Sequence, residues 1–301
     1  MPLSETRKGE IAIFSQGILW SLFPIITILS YSSLSPLTSL AWSTALASVF
    51  FTVWVTVKHK WRELKHKTAM FDVLMATLFI GIFLYGLFFF GLKYTTAGNA
   101  SIIALMEIFF SFLFFNIFRK ECISRQQLLG AILMLLGALI ILLPGFTEFN
   151  KGDALIFIAM AFAPIGNHFQ QKARKKISSE AMMLIRSVIT FPIILIIAKF
   201  FGETITISGL NDSIWFILIN GILLLGFSKI LWLEAIHRIP VTKAISLTGI
   251  EPLFTLFFAF LILKEIPTNW QLTAFVPLFF GIILLTSNKN WLEKLKTLYQ
   301  F

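Results

Sequence analysis

Cysteine is almost missing from this chain: Cys122 is the only one in 301 residues, which rules out an intramolecular disulfide framework and a Cys-rich metal site. Charge is scarce too. Charged residues make up 13% of the sequence, about half the share of a soluble domain, and a water-covered surface cannot be built from so few. Disorder is excluded from the opposite side, because 57% of residues are apolar, 34 are Phe and the mean hydropathy is +0.85. Enzyme motifs are lacking as well: there is no His pair at zinc spacing, no G-x-S-x-G and no paired-Asp motif for prenyl pyrophosphate chemistry. Gly221 to Gly226 has the glycine spacing of a phosphate loop, but Phe227 stands where that loop needs lysine, and the stretch lies in an apolar run. No enzyme activity, catalytic residue, metal or cofactor is expected.

What the chain has is long apolar runs. A hydrocarbon core of about 30 Å needs about 20 apolar residues of helix to cross it. Ten runs of that kind occur, at 10–30, 36–57, 72–92, 97–118, 126–144, 152–172, 179–201, 213–235, 241–263 and 269–286. The expected fold class is therefore an all-α membrane protein with ten transmembrane helices. About ten residues precede the first run and no small-residue cleavage site follows it, so this run reads as a retained helix rather than a signal peptide. The tail carries Trp291, Leu292, Leu295, Leu298 and Tyr299 at helical spacing between lysines, the pattern of a helix lying among lipid headgroups.

The formal charge of +10 then has a topological explanation. With both termini in the cytoplasm, inside segments hold 18 of the 25 Lys and Arg residues and outside loops hold four, Lys93, Lys151, Lys199 and Lys264. Such a bias sets orientation in the inner (cytoplasmic) membrane, and it predicts that 58–70, 119–125, 172–178 and 287–301 face the cytoplasm. Nucleic acid drops out as a partner.

The sequence also repeats. At a shift of 144 residues Ala100 falls on Ala244, Glu107 on Glu251, Phe114 on Phe258, Glu121 on Glu265, Gln127-Leu128 on Gln271-Leu272 and Gly137 on Gly281. Gly9-Glu10 resembles Gly152-Asp153 at a shift of 143. The chain thus divides into 1–146 and 147–301, each with five runs, the second ending in the short cytoplasmic tail. Five is odd, so the second unit enters the membrane inverted relative to the first, a recurrent plan of transporters with a solute site near the midplane.

The stretch Leu92-Lys93-Tyr94-Thr95-Thr96-Ala97-Gly98-Asn99-Ala100, with Glu121 and Gln127-Leu128-Leu129-Gly130 after it, resembles the EamA repeat of the drug/metabolite transporter superfamily. So does Ala235-Ile236-His237-Arg238-Ile239-Pro240-Val241-Thr242-Lys243-Ala244, followed by Glu251-Pro252 and Lys264-Glu265. The resemblance implies ten helices in inverted repeats and carriage of small metabolites, often outward. Members of that family often have Arg in the second helix of a repeat, as Arg186 is here, whereas Trp42 stands at the first-repeat counterpart. Glu107 sits where they often have Pro.

Candidate site residues follow from the cost of polarity in lipid. A carboxylate at mid-membrane costs about 3 kcal/mol, so Glu107 and Glu251, central in their runs, are expected to face the bundle interior. Arg186, Lys229 and His168 put three cations or potential cations in the cytoplasmic half of the second unit, while Trp42 and Tyr85, counterparts of Arg186 and Lys229, fall in the outer half of the first. The expected cavity is basic toward the cytoplasm and aromatic toward the outside. Trp20, central in the first run and away from the interfacial belts, is a candidate wall of the site. In the resulting assignment Glu251 binds an ammonium, Arg186 a carboxylate, Trp20 and Trp42 pack on the apolar part of the solute, and Glu107 titrates or gates, since burial disfavours its charged form. The expected protein is a secondary-active transporter working by alternating access, an exporter of amino acids or related amphoteric solutes. The alternatives are a proton-coupled exporter of lipophilic cations and, from another class, an intramembrane lipid-modifying enzyme. Its partners are a small-molecule solute, protons as candidate coupling ions, and the lipid bilayer, and it acts as a monomer or homodimer.

Overall fold

A computed structural model describes residues 4–119, 124–143, 150–204, 207–240, 243–244 and 247–286. The described residues form helices and turns, with no strand among them. Eight helices are long and apolar enough to cross a membrane: α1 (Glu5–Ser30), α2 (Pro36–Val57), α3 (Lys67–Leu92), α4 (Ala97–Asn116), α5 (Arg125–Leu142), α6 (Lys151–Arg174), α7 (Ser179–Phe200) and α8 (Ile214–Arg238). Two shorter apolar helices follow, α9 (Thr248–Leu263) and α10 (Asn269–Leu285). The tail containing Trp291 to Tyr299 lies outside the described residues, as do Glu121 and Cys122.

Local chemistry accounts for several helix starts. Asn150 caps α6 by accepting from the Gly152 and Asp153 amides, and Ser178 caps α7. Ser124 and Gln127 form a capping box at the start of α5, while Thr268 and Gln271 exchange the same two bonds before α10 (Thr268 N to Gln271 Oε1, 2.9 Å; Gln271 N to Thr268 Oγ1, 3.2 Å). The repeated Gln is therefore a helix-start signal. Ser4 caps α1, so that helix begins at Glu5 rather than residue 10: a polar first turn can extend beyond the apolar stretch.

The expected run at 241–263 is corrected more deeply. Lys243, Ala244 and Leu247 are helical, a 3-10 turn follows over Thr248–Ile250, and a new α-helix opens at Glu251 with Pro252 in its first turn. Proline removes an amide donor and suits a helix start, not an interior. α4 is divided too, into Ala97–Ala104 and Met106–Arg119. α1 breaks after Trp20 and resumes at Phe23 with Pro24. The Ser21 carbonyl left at that break accepts from Thr255 Oγ1 at 3.0 Å, which satisfies a backbone group that lipid would not. α3 and α8 each contain a wide π-helical stretch, Thr77–Leu84 and Ile219–Phe227, and these fall on nearly matching positions of the sequence repeat.

α1 packs on α8, α2 on α7, α3 on α6, α4 on α9 and α5 on α10. Exchanging each of the first five helices for its counterpart among the last five leaves this set of pairings unchanged. Small residues permit the closest of them: a Cβ on Gly130 of α5 would lie 2.9 Å from the Gly281 carbonyl of α10, and one on Gly281 would lie 2.8 Å from the Gly130 carbonyl. Toward the α1 N-terminus, ion pairs join different helices, among them Lys243–Glu10 (2.6 Å), Arg174–Glu234 (3.2 Å), Lys176–Asp72 (2.7 Å) and Arg238–Glu5. Near the α6 N-terminus the buried Asp153 instead accepts from Thr95 and, at 3.0 Å, from Asn99. Trp61, Trp215 and Trp270, at helix ends, are exposed, as belt residues should be.

Candidate functional site

The helix breaks surround a central cavity of about 950 Å³, counting the part open to solvent. α1, α3, α4, α6, α7, α8 and α9 all contribute to its wall. Six of the eight candidate residues line it: Glu251, Arg186, Trp20, Glu107, Tyr85 and Lys229. Trp42 and His168 lie outside the lining. Trp42 packs on Phe191 of α7 with ring centroids 6.0 Å apart, and His168 sits among Phe114, Phe115 and Phe169.

Both acids occupy the first turn of a helical segment after a break, Glu107 in Met106–Arg119 and Glu251 in Glu251–Leu263. Glu107 keeps the expected position at the middle of α4, at the break marked by Leu105, whereas Glu251 lies near the start of α9, after the Thr248–Ile250 turn. A helix N-terminus carries partial positive charge and favours an acid there. Glu107 Oε1 accepts from Asn167 Nδ2 at 2.6 Å. Glu251 Oε1 is buried and meets no donor among the described residues; its carboxyl lies against Gly17 of α1. Gln16 Oε1, also of a cavity-lining residue, is a second buried acceptor without a donor among the described residues.

The cations are held by neutral groups. Lys229 Nζ sits 3.0 Å from the centroid of the Trp20 ring, which itself stacks on Phe23 at 4.0 Å. Arg186 is 5% exposed, donates from Nη1 to Gln170 Oε1 at 2.8 Å and stands over the Tyr85 ring at 5.8 Å. Neither pairs with a carboxylate among the described residues. Such burial removes the snorkelling explanation for Arg186. The expected separation into a basic and an aromatic layer is also corrected, because each cation packs directly on an aromatic ring. Tyr85 and Lys229, repeat counterparts, each follow a π-helical stretch, whose wide turn brings them to the cavity.

Asn167, Gln170 and Gln16 were missed as site residues in the sequence. The signal was present: a polar side chain within an apolar run is best placed toward the bundle interior, and Asn167 and Gln170 are three apart, on one helix face. No group of His, Cys and acidic residues able to hold a metal occurs among the described residues.

Helices long enough to cross a membrane, wrapped around a buried polar cavity, define a multi-pass integral membrane protein. The profile of the EamA-like transporter family matches residues 7–143 and again 150–287, and the chain belongs to that family. It is 22% identical to the uncharacterized transporter YojE of Bacillus subtilis over 300 residues, 97% of this chain and 98% of that one. An uncharacterized transporter of Methanothermobacter thermautotrophicus is 24% identical over 298 residues, 93% of this chain and 86% of the relative. In B. subtilis again, the uncharacterized transporter YyaM is 22% identical over 266 residues, 83% and 84% of the two chains. One crystal structure shares the fold at a TM-score of 0.69 and 15% identity, covering 94% of this chain and 98% of the other. Family and relatives support a transporter rather than an enzyme.

Proposed function

We propose that the protein is a secondary transporter of amphoteric small metabolites, amino acids or close relatives, exporting them across the inner membrane by alternating access. One observation carries this reading: the cavity keeps its opposite charges apart. Arg186 and Lys229 rest on aromatic and amide groups, while Glu251 and Gln16 present acceptors that no donor among the described residues meets. An unpaired charge in a low-dielectric site costs several kcal/mol, and a solute bearing both an ammonium and a carboxylate relieves both sides at once. Glu251 with Gln16 binds the ammonium, Arg186 the carboxylate through its planar fork, and Trp20 packs on the apolar part. Glu107, tied to Asn167, is the titrating or gating acid.

Both termini are assigned to the cytoplasm, and the two five-helix units are related by an axis in the membrane plane. The unchanged set of helix pairings supports that axis, and the basic stretches support the orientation. A Lys60→Cys protein should react with a membrane-impermeant thiol reagent only from the cytoplasmic face, and reaction from outside intact cells reverses the assignment. The transport reading is tested by flux of labelled amino acids, amines and carboxylates into reconstituted vesicles, where amino acids are expected to move and the singly charged analogues are not.

A second reading, a proton-coupled exporter of lipophilic cations, is favoured by the Trp20–Phe23 stack and the two acids in the cavity wall. It is opposed by Arg186 and Lys229 in the same wall, which would repel such a solute.

A further inference from the structure

Glu107 and Arg186 do not touch, yet two amides join them. Arg186 Nη1 donates to Gln170 Oε1 at 2.8 Å, Gln170 Nε2 donates to Asn167 Oδ1 at 2.8 Å, and Asn167 Nδ2 donates to Glu107 Oε1 at 2.6 Å. Both amides are buried, 2% exposed at Gln170 and 4% at Asn167. The ends of this chain fix its direction. A guanidinium has no acceptor, so Gln170 must turn its oxygen to Arg186, and an ionised carboxylate has no donor, so Asn167 must turn its NH₂ to Glu107. The middle bond then forms without choice.

Protonation of Glu107 removes that constraint at one end. A neutral carboxyl is itself a donor, and its remaining bond to Asn167 loses the charge assistance that made it strong. Asn167 is then free to reverse, and reversal sets its NH₂ against the NH₂ of Gln170. Gln170 must then reverse in turn, which takes its oxygen from Arg186, or give up its bond to Asn167, which leaves Arg186 on an amide that nothing else holds in place.

We propose that Gln170 is a positioning residue that couples the protonation state of Glu107 to the orientation of Arg186, through Asn167. The coupling rests on the transport reading for its purpose, since Arg186 is there the carboxylate ligand, but the chain itself is independent of any solute. It gives proton coupling a route that needs no direct contact between proton and substrate. The other titratable groups of the cavity wall are Tyr85 on α3, Lys229 on α8 and Glu251 on α9, and His168 lies on α6 between the two amides in sequence. Through-space effects of those groups reach Arg186 whether or not the amides are present, which is what the test separates.

The test uses the full chain in lipid nanodiscs without solute, over pH 5 to 9. Infrared difference spectra follow the protonated carboxyl band of Glu107, assigned by its loss in Glu107→Gln. Nitrogen-15 spectra of arginine-labelled protein follow the Arg186 guanidinium, assigned by its loss in Arg186→Lys. In the wild type the two signals are expected to shift with one midpoint. In Gln170→Leu the carboxyl band should still titrate while the guanidinium signal shifts by less than a third of its wild-type amplitude. Asn167→Leu cuts the same chain one link earlier, should behave alike, and serves if Gln170→Leu does not fold. A carboxyl band that does not titrate, a guanidinium signal that ignores it in the wild type, or one that follows it undiminished in the folded Leu variants each overturns the coupling. Failure of amino acids to move in vesicles would instead sink the solute assignment and leave these spectra unchanged.

Discussion

Glu107 and Glu251 occupy matching positions in the duplicated frame, each in the first turn after a helix break, yet their surroundings differ. Glu107 meets α6, which runs unbroken from Lys151 to Arg174 and presents Asn167 and Gln170. Glu251 meets α1, which breaks after Trp20 and carries Pro24 where a shift of 143 residues would place the counterpart of Asn167. One acid is thereby tied to Asn167, and the other keeps an oxygen that meets no donor among the described residues. Duplication supplies a pair of buried carboxyls, and on the proposed function the divergence of the helix facing each one is what would separate a gating role from a binding role.

The largest expected effect is that of Glu251→Gln, which keeps the shape and removes the charge. Loss of a charge-assisted hydrogen bond costs about 1.5–3 kcal/mol, so affinity for amine-bearing solutes should fall roughly ten- to a hundredfold in equilibrium binding, with unfolding temperature unchanged or raised. Arg186→Lys comes next. A compact ammonium keeps the charge but not the bidentate fork, and competition binding should show about a tenfold loss for carboxylate-bearing solutes. Glu107→Gln should flatten the pH dependence of transport while changing affinity at its optimum less than threefold, as initial rates across pH would report. Equal behaviour of Glu107→Gln and Glu251→Gln would erase the distinction between the two acids.

Gly17→Ala is the finest of these probes. A Cβ there would lie 3.3 Å from both Cγ and Oε1 of Glu251, close enough to displace a carboxyl whose Oε1 has no partner among the described residues. Replacing a helical Gly by Ala stabilises a helix by up to about 1 kcal/mol. Transport affinity should therefore fall a few-fold while thermal stability holds or rises, a combination that simple packing damage does not produce.

Much of this frame is legible in the chain. Apolar runs locate the helices because lipid demands them, and the repeated Gln127 and Gln271 mark helix starts that the structure shows as capping boxes. The two acids are legible because charge in lipid is costly. Apolarity carries no record of helix continuity, so the breaks at Leu105 and over Thr248–Ile250 pass unnoticed even with Pro252 in view. Trp42 and Arg186 are repeat counterparts, but equivalence in a frame does not fix which neighbour a side chain meets: Trp42 turns to Phe191 and Arg186 to Gln170. Gln170 alone reads as an ordinary polar residue near the end of its run, and only its three-residue spacing from Asn167 points it toward the bundle interior.

The central claim, that opposite charges are held apart for a solute carrying both, is tested most directly by competition against a labelled amino acid bound to the purified transporter. The competitors are the unlabelled amino acid, its methyl ester and its N-acetyl derivative, each against wild type, Glu251→Gln and Arg186→Lys. The wild type should favour the amino acid over both derivatives by at least tenfold. Glu251→Gln should lose the preference over the N-acetyl form alone, and Arg186→Lys the preference over the ester alone. Equal competition by all three compounds in all three proteins would contradict the account and leave both residues with a structural role only.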